Sequence, residues 1–390
     1  MRPEHTCKAT LRHALALSAL LLPLSVFAVQ DCELNGESVN PNNGNTTAGK
    51  TGIMRCKDRD SGQMAREQEL KAGKFTGLMR FYQNGKLQRE YTENERGNRQ
   101  GRYREFSADG KILRDENYDN GDSVGLSRSF YSDGQLRRAS WLAQPGGEQA
   151  SVDFTEKGQL NSLRCGDRPL LAPVIDDARL CGFSGSASSV EFFGSRGALN
   201  ARSSYLAGKR IRHETFNDNG NPSSLDEITG NLRIQRRFST SGMKLREMQY
   251  QVDGKTSTLL RDQEFAASGS LARDKRWVNG KLALEEAFYL NGQPRRKNEY
   301  GGEGTSAWMQ STDYYDSGKI AGTGRYANAM RGRQLPTGTH QRFNEAGKVI
   351  AESTYDERGR ISREKAWSDA GELLRDDAVF EDGSRKAYSK

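Results

Sequence analysis

A short phrase of aromatic, turn and aliphatic positions recurs along most of the chain. In the final stretch the turn glycines stand twelve residues apart, at Gly347, Gly359, Gly371 and Gly383. An aromatic residue precedes each glycine by three or four positions, and a branched aliphatic follows the first three by two, as Tyr355 and Ile361 flank Gly359. Earlier copies centre on Gly85, Gly110, Gly134, Gly158, Gly220, Gly242, Gly269, Gly280, Gly292 and Gly318. Self-similarity at a short fixed period predicts a repeat architecture.

The chemistry of the phrase is that of a tight turn. Many copies contain Asn-Gly or Asp-Gly, such as Asn84-Gly85, Asn279-Gly280 and Asp382-Gly383, and these pairs adopt the positive φ angles that hairpin turns require. The stretches between turns are about seven to nine residues long, the length of an ordinary strand. Glycine recurs too often for a helical pattern. We therefore expect an all-β protein, an extended antiparallel β-meander of tandem strand–turn units of about 12 residues.

Strand alternation predicts which side chains share a face of this sheet. Residues two apart point the same way, so the aliphatic two positions after the glycine and the residue four positions after it should share a face. The fifth place, on the opposite face, is often acidic, as in Glu247, Asp274 and Glu364. The fourth place is repeatedly arginine, which makes these side chains candidates for binding a partner: Arg89, Arg114, Arg138, Arg246, Arg273, Arg296, Arg363 and Arg375. They could instead stack on aromatic rings and pair with acids of neighbouring strands.

The N-terminus has the pattern of a secretory signal peptide over residues 1–28. A basic start containing Arg2, Lys8 and Arg12 precedes an apolar run of about 15 residues that ends at Ala28. A bilayer-spanning helix needs roughly 20 apolar residues, so a retained anchor is the weaker alternative. We expect cleavage after Ala28 and a periplasmic or secreted protein.

Cysteine usage agrees with export. Cys32, Cys56, Cys165 and Cys181 follow the signal peptide, and four cysteines permit three pairings that sequence does not distinguish. Proximity favours the pairs 32–56 and 165–181, which an oxidising compartment permits. A zinc site with four thiolates is the alternative, although no two cysteines are separated by only two residues.

Breaks in the repeat suggest the domain organisation. Residues 29–72 form a polar N-terminal cap, 73–163 a first repeat array, 164–186 a cystine-bound insertion and 187–390 a second array. The two arrays could also form one continuous sheet. The insertion is apolar for a loop, and its Leu170, Leu171, Val174 and Ile175 either pack as a local core or contact a partner.

Composition narrows the functional classes. The formal net charge is +8, but both signs are interleaved, which argues against a nucleic-acid-binding stripe. Beyond the signal peptide the histidines are His213 and His340, far apart and in no hydrolase motif. We therefore expect no enzyme activity, no cofactor and no metal. Contact with a membrane surface, without integral insertion, and homodimerisation through open sheet edges stay open.

The phrase aromatic-x-x-Asn/Asp-Gly-Lys/Gln-Leu/Ile-x-x-Glu resembles the bacterial variant of the MORN repeat, found in proteins labelled YwqK-family antitoxins. The resemblance covers residues 75–160 and 190–388. It implies a protein that binds another protein, as an immunity protein that neutralises a toxic effector, including secreted effectors of the lipase type. The alternative is an envelope-structural protein that binds anionic lipid or peptidoglycan surfaces without a toxin partner.

Overall fold

The computed structural model describes residues 30–144, 147–328 and 334–388, so the predicted signal peptide lies outside the described residues. The chain divides into two compact units, residues 1–110 and 111–390. Almost all regular structure is antiparallel strand, and consecutive strands pair as hairpins. The predicted all-β meander is confirmed.

The described part of the first unit, residues 30–110, contains seven strands and one helical turn. The strands are β1 (Gln30–Leu34), β2 (Glu37–Val39), β3 (Gly52–Asp58), β4 (Met64–Lys71), β5 (Lys74–Gln83), β6 (Lys86–Glu93) and β7 (Gly101–Phe106), and the turn is α1 (Gly44–Thr47). They pair in the order β7-β6-β5-β4-β3-β1-β2. The strands of the predicted cap thus share a sheet with the first repeats.

The second unit contains two series of strands separated by the insertion. The first series is β8 (Ile112–Asp119), β9 (Asp122–Phe130), β10 (Leu136–Ala143), β11 (Gly147–Phe154) and β12 (Leu160–Arg164). A short helix α2 (Asp177–Leu180) lies in the insertion. Strands β12 and β13 are not hydrogen-bonded neighbours, so the sheet is interrupted at the insertion.

The second series forms a sheet of seventeen strands paired in sequence order, called the second sheet below. Its first nine strands are β13 (Val190–Phe193), β14 (Leu199–Leu206), β15 (Lys209–Phe216), β16 (Pro222–Thr229), β17 (Leu232–Phe238), β18 (Lys244–Asp253), β19 (Thr256–Phe265), β20 (Leu271–Val278) and β21 (Lys281–Phe288). The others are β22 (Pro294–Gly301), β23 (Trp308–Tyr314), β24 (Ile320–Asn328), β25 (Gln334–Phe343), β26 (Val349–Tyr355), β27 (Ile361–Trp367), β28 (Leu373–Val379) and β29 (Arg385–Ala387). A 3₁₀ turn, Gly304–Ser306, precedes β23.

Two kinds of turn recur among the hairpins that the structure describes. At Asn279-Gly280 both residues have positive φ, 51° and 76°, as the two-residue type I′ turn requires. At Gly269 the turn is longer, and the Gly269 amide donates to the Ala266 carbonyl at 2.8 Å. The register of the flanking strands shifts beside this longer turn, between Glu264 and Phe265, which is the signature of a β-bulge.

The bulge corrects the expected distribution of side chains between faces. Leu271 lies opposite Phe265, whereas Arg273 lies opposite Glu264. Because Phe265 and Glu264 are consecutive, they point to opposite faces, and so do their partners. The aliphatic at the second place and the arginine at the fourth place therefore lie on opposite faces. The expectation that they share one was wrong because simple alternation ignores the extra residue.

Apolar burial is concentrated in two clusters. In the first unit Leu34, Met54 and Leu70 are at most 1% exposed and surround the Cys32–Cys56 disulfide. In the second unit the cluster gathers the ends of both strand series around the Cys165–Cys181 disulfide. Both pairings favoured by proximity are present, and two disulfides are compatible with an extracellular or periplasmic protein.

The insertion packs as part of this second cluster. Leu170 is 6% exposed and Leu171 is fully buried, while Val174 and Ile175 pack partly against the cluster. The Asp177 carboxylate accepts hydrogen bonds from the backbone amides of Leu170 and Leu171 at 2.6 and 2.9 Å. Burial corrects the view of Leu170 and Leu171 as partner-binding side chains, because their area is already used inside the fold.

Candidate binding surface on the second sheet

The predicted arginine row is paired within the sheet. Ion pairs join Arg138 to Asp153 at 2.7 Å, Arg246 to Asp262 at 2.7 Å, Arg296 to Asp313 at 2.6 Å, Arg363 to Asp376 at 2.8 Å and Arg375 to Glu364 at 3.3 Å. Longer pairs join Arg114 to Glu116 and Arg273 to Glu264, both at 3.6 Å, and the Arg89 guanidinium lies 4.4 Å from the ring centroid of Phe81. These geometries fit the structural interpretation, in which arginines stack on rings and pair with neighbouring acids.

Cross-strand pairing aligns part of the row on one face of the second sheet, called the arginine face below. Directly opposite residues run from Arg246 through Glu264, Arg273, Ala287, Arg296, Asp313, Gly322, Arg342, Ala351 and Ala366 to Arg375. Arg363 lies opposite Thr354 and so points to the other face. Up to Asp313 this row is therefore charged except at Ala287, whereas beyond Asp313 small residues separate Arg342 and Arg375.

Small residues interrupt the charge ladder on strands β24 and β26. Gly322 and Ala351 occupy the fourth place after Gly318 and Gly347, where eight other copies have arginine. Arg342, on β25, lies between them and is exposed. In the described part of the chain no acidic side chain pairs with Arg342. The interruption therefore leaves one cation of the arginine face without an anion.

A concave site, called the trough below, lies at this interruption. Its volume is about 220 Å³. The residues that line it are Ser311, Asp313, Gly322, Thr323, Gly324, Tyr326, His340, Gln341, Arg342, Ala351, Ser353 and Tyr355. Since glycine has no side chain, Gly322 and Gly324 leave the space that the arginine ladder fills elsewhere.

The His340 ring forms one wall of the trough. It contacts the rings of Tyr326 and Tyr355, with centroids at 4.9 and 4.6 Å, and its Nε2 lies 2.9 Å from the Arg325 carbonyl oxygen. A Cβ at Gly324 would lie 2.8 Å from the imidazole, so this glycine lets the ring sit close to the strand. Burial raises the pKa of the Tyr355 hydroxyl, which keeps it protonated at neutral pH.

Two further grooves on the arginine face join the trough. The first, called the arginine groove, has a volume of about 480 Å³ and is lined by Arg273, Glu285, Ala287, Tyr289, Arg295, Arg296, Asn298, Asp313 and Tyr314. The second, called the aromatic groove, has a volume of about 590 Å³, and Tyr300, Trp308, Met309 and Tyr326 are among its lining residues. Asp313 lines both the trough and the arginine groove, and Tyr326 lines both the trough and the aromatic groove. The three are therefore contiguous.

The opposite face carries tightly paired acids. Asp274 is 1% exposed and pairs with Arg261 and Arg276, each at 2.8 Å. Burial alone would raise the pKa of Glu247, but hydrogen bonds from Arg236, Gln249 and Lys244 outweigh it and lower that pKa to about 2. Because the hydrogen-bonding capacity of these carboxylates is already used within the sheet, the trough is the stronger candidate for a partner-binding site.

A serine, a histidine and an aspartate also line up across strands β14, β15 and β16. Ser203 Oγ lies 2.8 Å from His213 Nδ1, and Asp226 lies opposite His213. Ser203 is 1% exposed, however, so a substrate carbonyl could not reach its hydroxyl. Burial lowers the pKa of His213. The arrangement is that of a buried polar network, and the absence of enzyme activity stays a prediction.

The described residues contain no group of three or more His, Cys, Asp or Glu side chains arranged to hold a metal ion. No helix within residues 30–144, 147–328 and 334–388 is both long and apolar enough to cross a membrane.

Sequence reasoning missed the trough although a signal for it exists. The repeat predicts arginine at the fourth place after the turn glycine, whereas the trough lies where Gly322 and Ala351 occupy that place. Arg342 precedes its turn glycine, Gly347, and so does not occupy the fourth place of a repeat. The signal in the sequence was the loss of arginine from the fourth place in two copies of the repeat, after Gly318 and after Gly347.

A model of the MORN repeat variant family matches residues 99–120 and 336–357. Two stretches of this chain are therefore similar to MORN repeat variants. The second matched stretch spans most of β25 and all of β26, and it supplies His340, Arg342 and Ala351 to the trough. MORN repeats of this kind are typical of repeat proteins that bind a protein or a membrane.

Comparison with other proteins adds little. No protein with a curated description matches the chain. Among solved structures, "Crystal Structure of TcdB2-TccC3-TEV" matches 91% of this chain and 20% of that chain, at 11% identity and a TM-score of 0.19. A Tc holotoxin pore of Photorhabdus luminescens matches 87% of this chain and 24% of that one, at 9% identity and a TM-score of 0.18. A eukaryotic initiation factor matches 87% of both chains, at 12% identity and a TM-score of 0.19. The chain spans about a fifth of the first of these chains, and TM-scores this low support no argument.

Proposed function

We propose that this chain is an exported repeat protein that binds a protein partner through the arginine face of its second sheet. The observation that carries the proposal is the contiguity of the trough with the arginine and aromatic grooves on that one face. Contiguous concave sites that combine rings with arginine have the composition of protein-binding surfaces. A sheet of seventeen paired strands holds them in fixed positions.

We further propose that the partner is a toxic effector and that the chain neutralises it as an antitoxin-like immunity protein. The resemblance of the repeat phrase to the antitoxin-labelled MORN variants supports this reading. The two disulfides, which suit an oxidising compartment, are consistent with it. An effector would be blocked by occupation of its surface, since neutralisation by binding requires no chemistry from this chain.

The first experiment captures the partner with matched variants on one strand. Ala351→Trp fills the trough, whereas Thr354→Trp places the same ring on the opposite face of β26. A tagged chain is crosslinked in cells, purified from envelope extract and analysed by mass spectrometry. We expect one stoichiometric protein with the unsubstituted chain and with Thr354→Trp, and its loss with Ala351→Trp. Recovery of no protein, or equal recovery with both variants, would contradict binding through this face.

The second experiment tests immunity. Cells that lack the gene should lose viability beside effector-producing neighbours, and the unsubstituted chain or Thr354→Trp should restore growth while Ala351→Trp should not. Normal growth of the deletion strain in every such pairing would refute the immunity role. Recovery of anionic lipid or peptidoglycan in place of a protein would favour the envelope-surface alternative.

A further inference from the structure

We propose that the trough and the arginine groove bind an extended segment of the partner, and that an acidic side chain of this segment pairs with Arg342. The inference rests on the proposed function and specifies the chemistry of the partner. Four arginines line the two sites, Arg273, Arg295, Arg296 and Arg342, together with the acids Glu285 and Asp313. The sites thus carry an excess of two positive charges, which an acidic segment would neutralise.

The two excess charges belong to identifiable residues. Arg296 pairs with Asp313 at 2.6 Å, and Arg273 reaches Glu285 at 3.8 Å. Within the described chain, neither Arg295 nor Arg342 has an ion pair or a hydrogen bond from its guanidinium, and both side chains are exposed. The other arginines of the row from Arg246 to Arg375 each have an acidic partner in the sheet: Arg246, Arg273, Arg296 and Arg375.

The surroundings of Arg342 leave room for a carboxylate. Gly322 and Ala351 are its direct neighbours on β24 and β26, so no neighbouring side chain in its row extends beyond a methyl group. A guanidinium can then present two parallel N–H groups to one carboxylate, the geometry that makes such pairs strong and directional. The rings of Tyr326, His340 and Tyr355 provide an apolar wall for the stem of the incoming side chain.

The arrangement of the grooves predicts a second anchor on the same segment. Arg342 lies directly opposite Gly322 of β24, and Tyr326, which lines the aromatic groove, follows Gly322 by four residues on that strand, which corresponds to about 13 Å along a strand. An extended segment spans this distance in about four residues. We therefore expect an acidic residue followed or preceded, about four positions away, by an aromatic or large aliphatic residue.

A protein segment fits these grooves better than an anionic membrane does. Membrane attraction of this kind relies on clusters of roughly four to eight free basic residues. Only Arg295 and Arg342 among the arginines of the two sites lack an acidic neighbour. Two unpaired arginines beside aromatic rings are too few to hold a membrane surface but enough to bind an acidic side chain of a protein segment. Binding to anionic vesicles is one outcome of the test below.

The test measures charge preference with synthetic peptides. The purified full chain is titrated into fluorescent extended peptides that carry Glu, Gln or Lys at one position and Phe four residues away. We expect the Glu peptide to bind at least about tenfold more tightly than the Gln peptide, because a charge-assisted hydrogen bond is lost with Gln. In the Arg342→Glu variant the preference should reverse towards the Lys peptide, and Arg342→Lys should retain a weaker preference for Glu.

The control is Arg358→Glu. Arg358 is 74% exposed, pairs with Glu381 only at 3.8 Å and lines none of the three grooves, so this variant should keep the preference for Glu. Because Arg342 has no partner in the fold, Arg342→Glu should unfold at the temperature of the unsubstituted chain. Equal binding of Glu and Gln peptides, or an unchanged Glu preference in Arg342→Glu, would overturn the inference. So would sedimentation with phosphatidylglycerol vesicles that Arg342→Glu abolishes, since the cation would then serve a membrane.

The two proposals fail separately. If a stoichiometric protein is captured as well by Arg342→Glu as by the unsubstituted chain, the role of Arg342 is refuted while protein binding stands. If no protein is captured at all, the proposed function is refuted.

Discussion

Arg261 and Asp274 form a two-point ion pair across strands β19 and β20. Arg261 Nε donates to Asp274 Oδ1 and Nη2 donates to Oδ2, both at 2.8 Å, and Asp274 is only 1% exposed. Opposite charges on directly neighbouring strands stabilise a sheet through such cross-strand pairs. The ion pairs are therefore part of what holds the repeats in register.

We expect Asp274→Ala to destabilise the second unit by about 1.5–3 kcal/mol, because hydrogen bonds from Arg261 and Arg276 to a charged group are lost. Urea denaturation measures the change in the free energy of unfolding. The control is Glu381→Ala, whose carboxylate is 73% exposed and pairs with Arg360 at 2.6 Å; we expect a much smaller change there, because exposed ion pairs contribute little to stability. Equal effects of the two substitutions would show that burial of Asp274 adds nothing.

Stability should fall at acid pH partly through Glu247. Its pKa is lowered from 4.5 to about 2 in the folded protein, so the folded state binds this proton less readily than the unfolded state does. The stabilisation is complete above about pH 4.5 and is lost as the pH falls towards 2. Urea midpoints at neutral pH and near pH 3 should differ less in Glu247→Gln than in the unsubstituted chain. The same loss in both would assign the acid sensitivity to other carboxyl groups.

Gly324 should resist substitution because of His340. A Cβ at this position would lie 2.8 Å from the imidazole, whereas a Cβ at Gly322 would approach only the Gln341 carbonyl oxygen, at 3.2 Å. We expect Gly324→Ala to cost about 1–3 kcal/mol, as overpacking does, and Gly322→Ala to cost less. Adding His340→Ala to Gly324→Ala should recover much of the lost stability. Thermal unfolding of the unsubstituted chain, the two single variants Gly324→Ala and His340→Ala, and the double variant would show this recovery. Strictly additive effects would mean that the ring is not the obstacle.

The Cys165–Cys181 disulfide should hold the insertion against its core. It closes a loop with a sequence separation of 16, and the chain-entropy model gives about 3 kcal/mol for a loop of that size. Replacing both cysteines by serine should therefore raise deuterium uptake around Leu170 and Leu171. The matched pair of substitutions at Cys32 and Cys56 should leave uptake in the insertion unchanged. Unaltered uptake after loss of the 165–181 disulfide would show that apolar packing alone fixes the insertion.

Local chemistry made the strands and their order predictable. Asn-Gly at 279–280 has the conformational preferences of a tight turn whatever surrounds it, and the structure has positive φ at both positions. The disulfide pairs were favoured for a similarly local reason, short sequence separation. The register was not predictable, because the bulge beside Phe265 depends on how two strands meet and not on the composition of either.

The candidate site was predictable only in its residue types. Arginine was correctly singled out, yet Arg246 and Arg296 are paired with Asp262 and Asp313, and the unpaired Arg342 was overlooked. Leu171 is apolar, as residues that contact a partner often are, but it is fully buried within the fold. Pairing and burial depend on neighbours that are close in space, and the sequence of one strand does not name them.

By itself the sequence determined the all-β class, the succession of antiparallel hairpins and the positions of their turns, because each of these follows from interactions within a few residues. The tertiary structure alone decided which face each side chain occupies, where the sheet is interrupted and which arginine lacks an acid. These depend on bulges and on cross-strand alignment, as when Gly322 and Ala351 come to flank Arg342. Interactions between residues close in sequence thus specify the repeat, whereas pairing between strands creates the trough around Arg342.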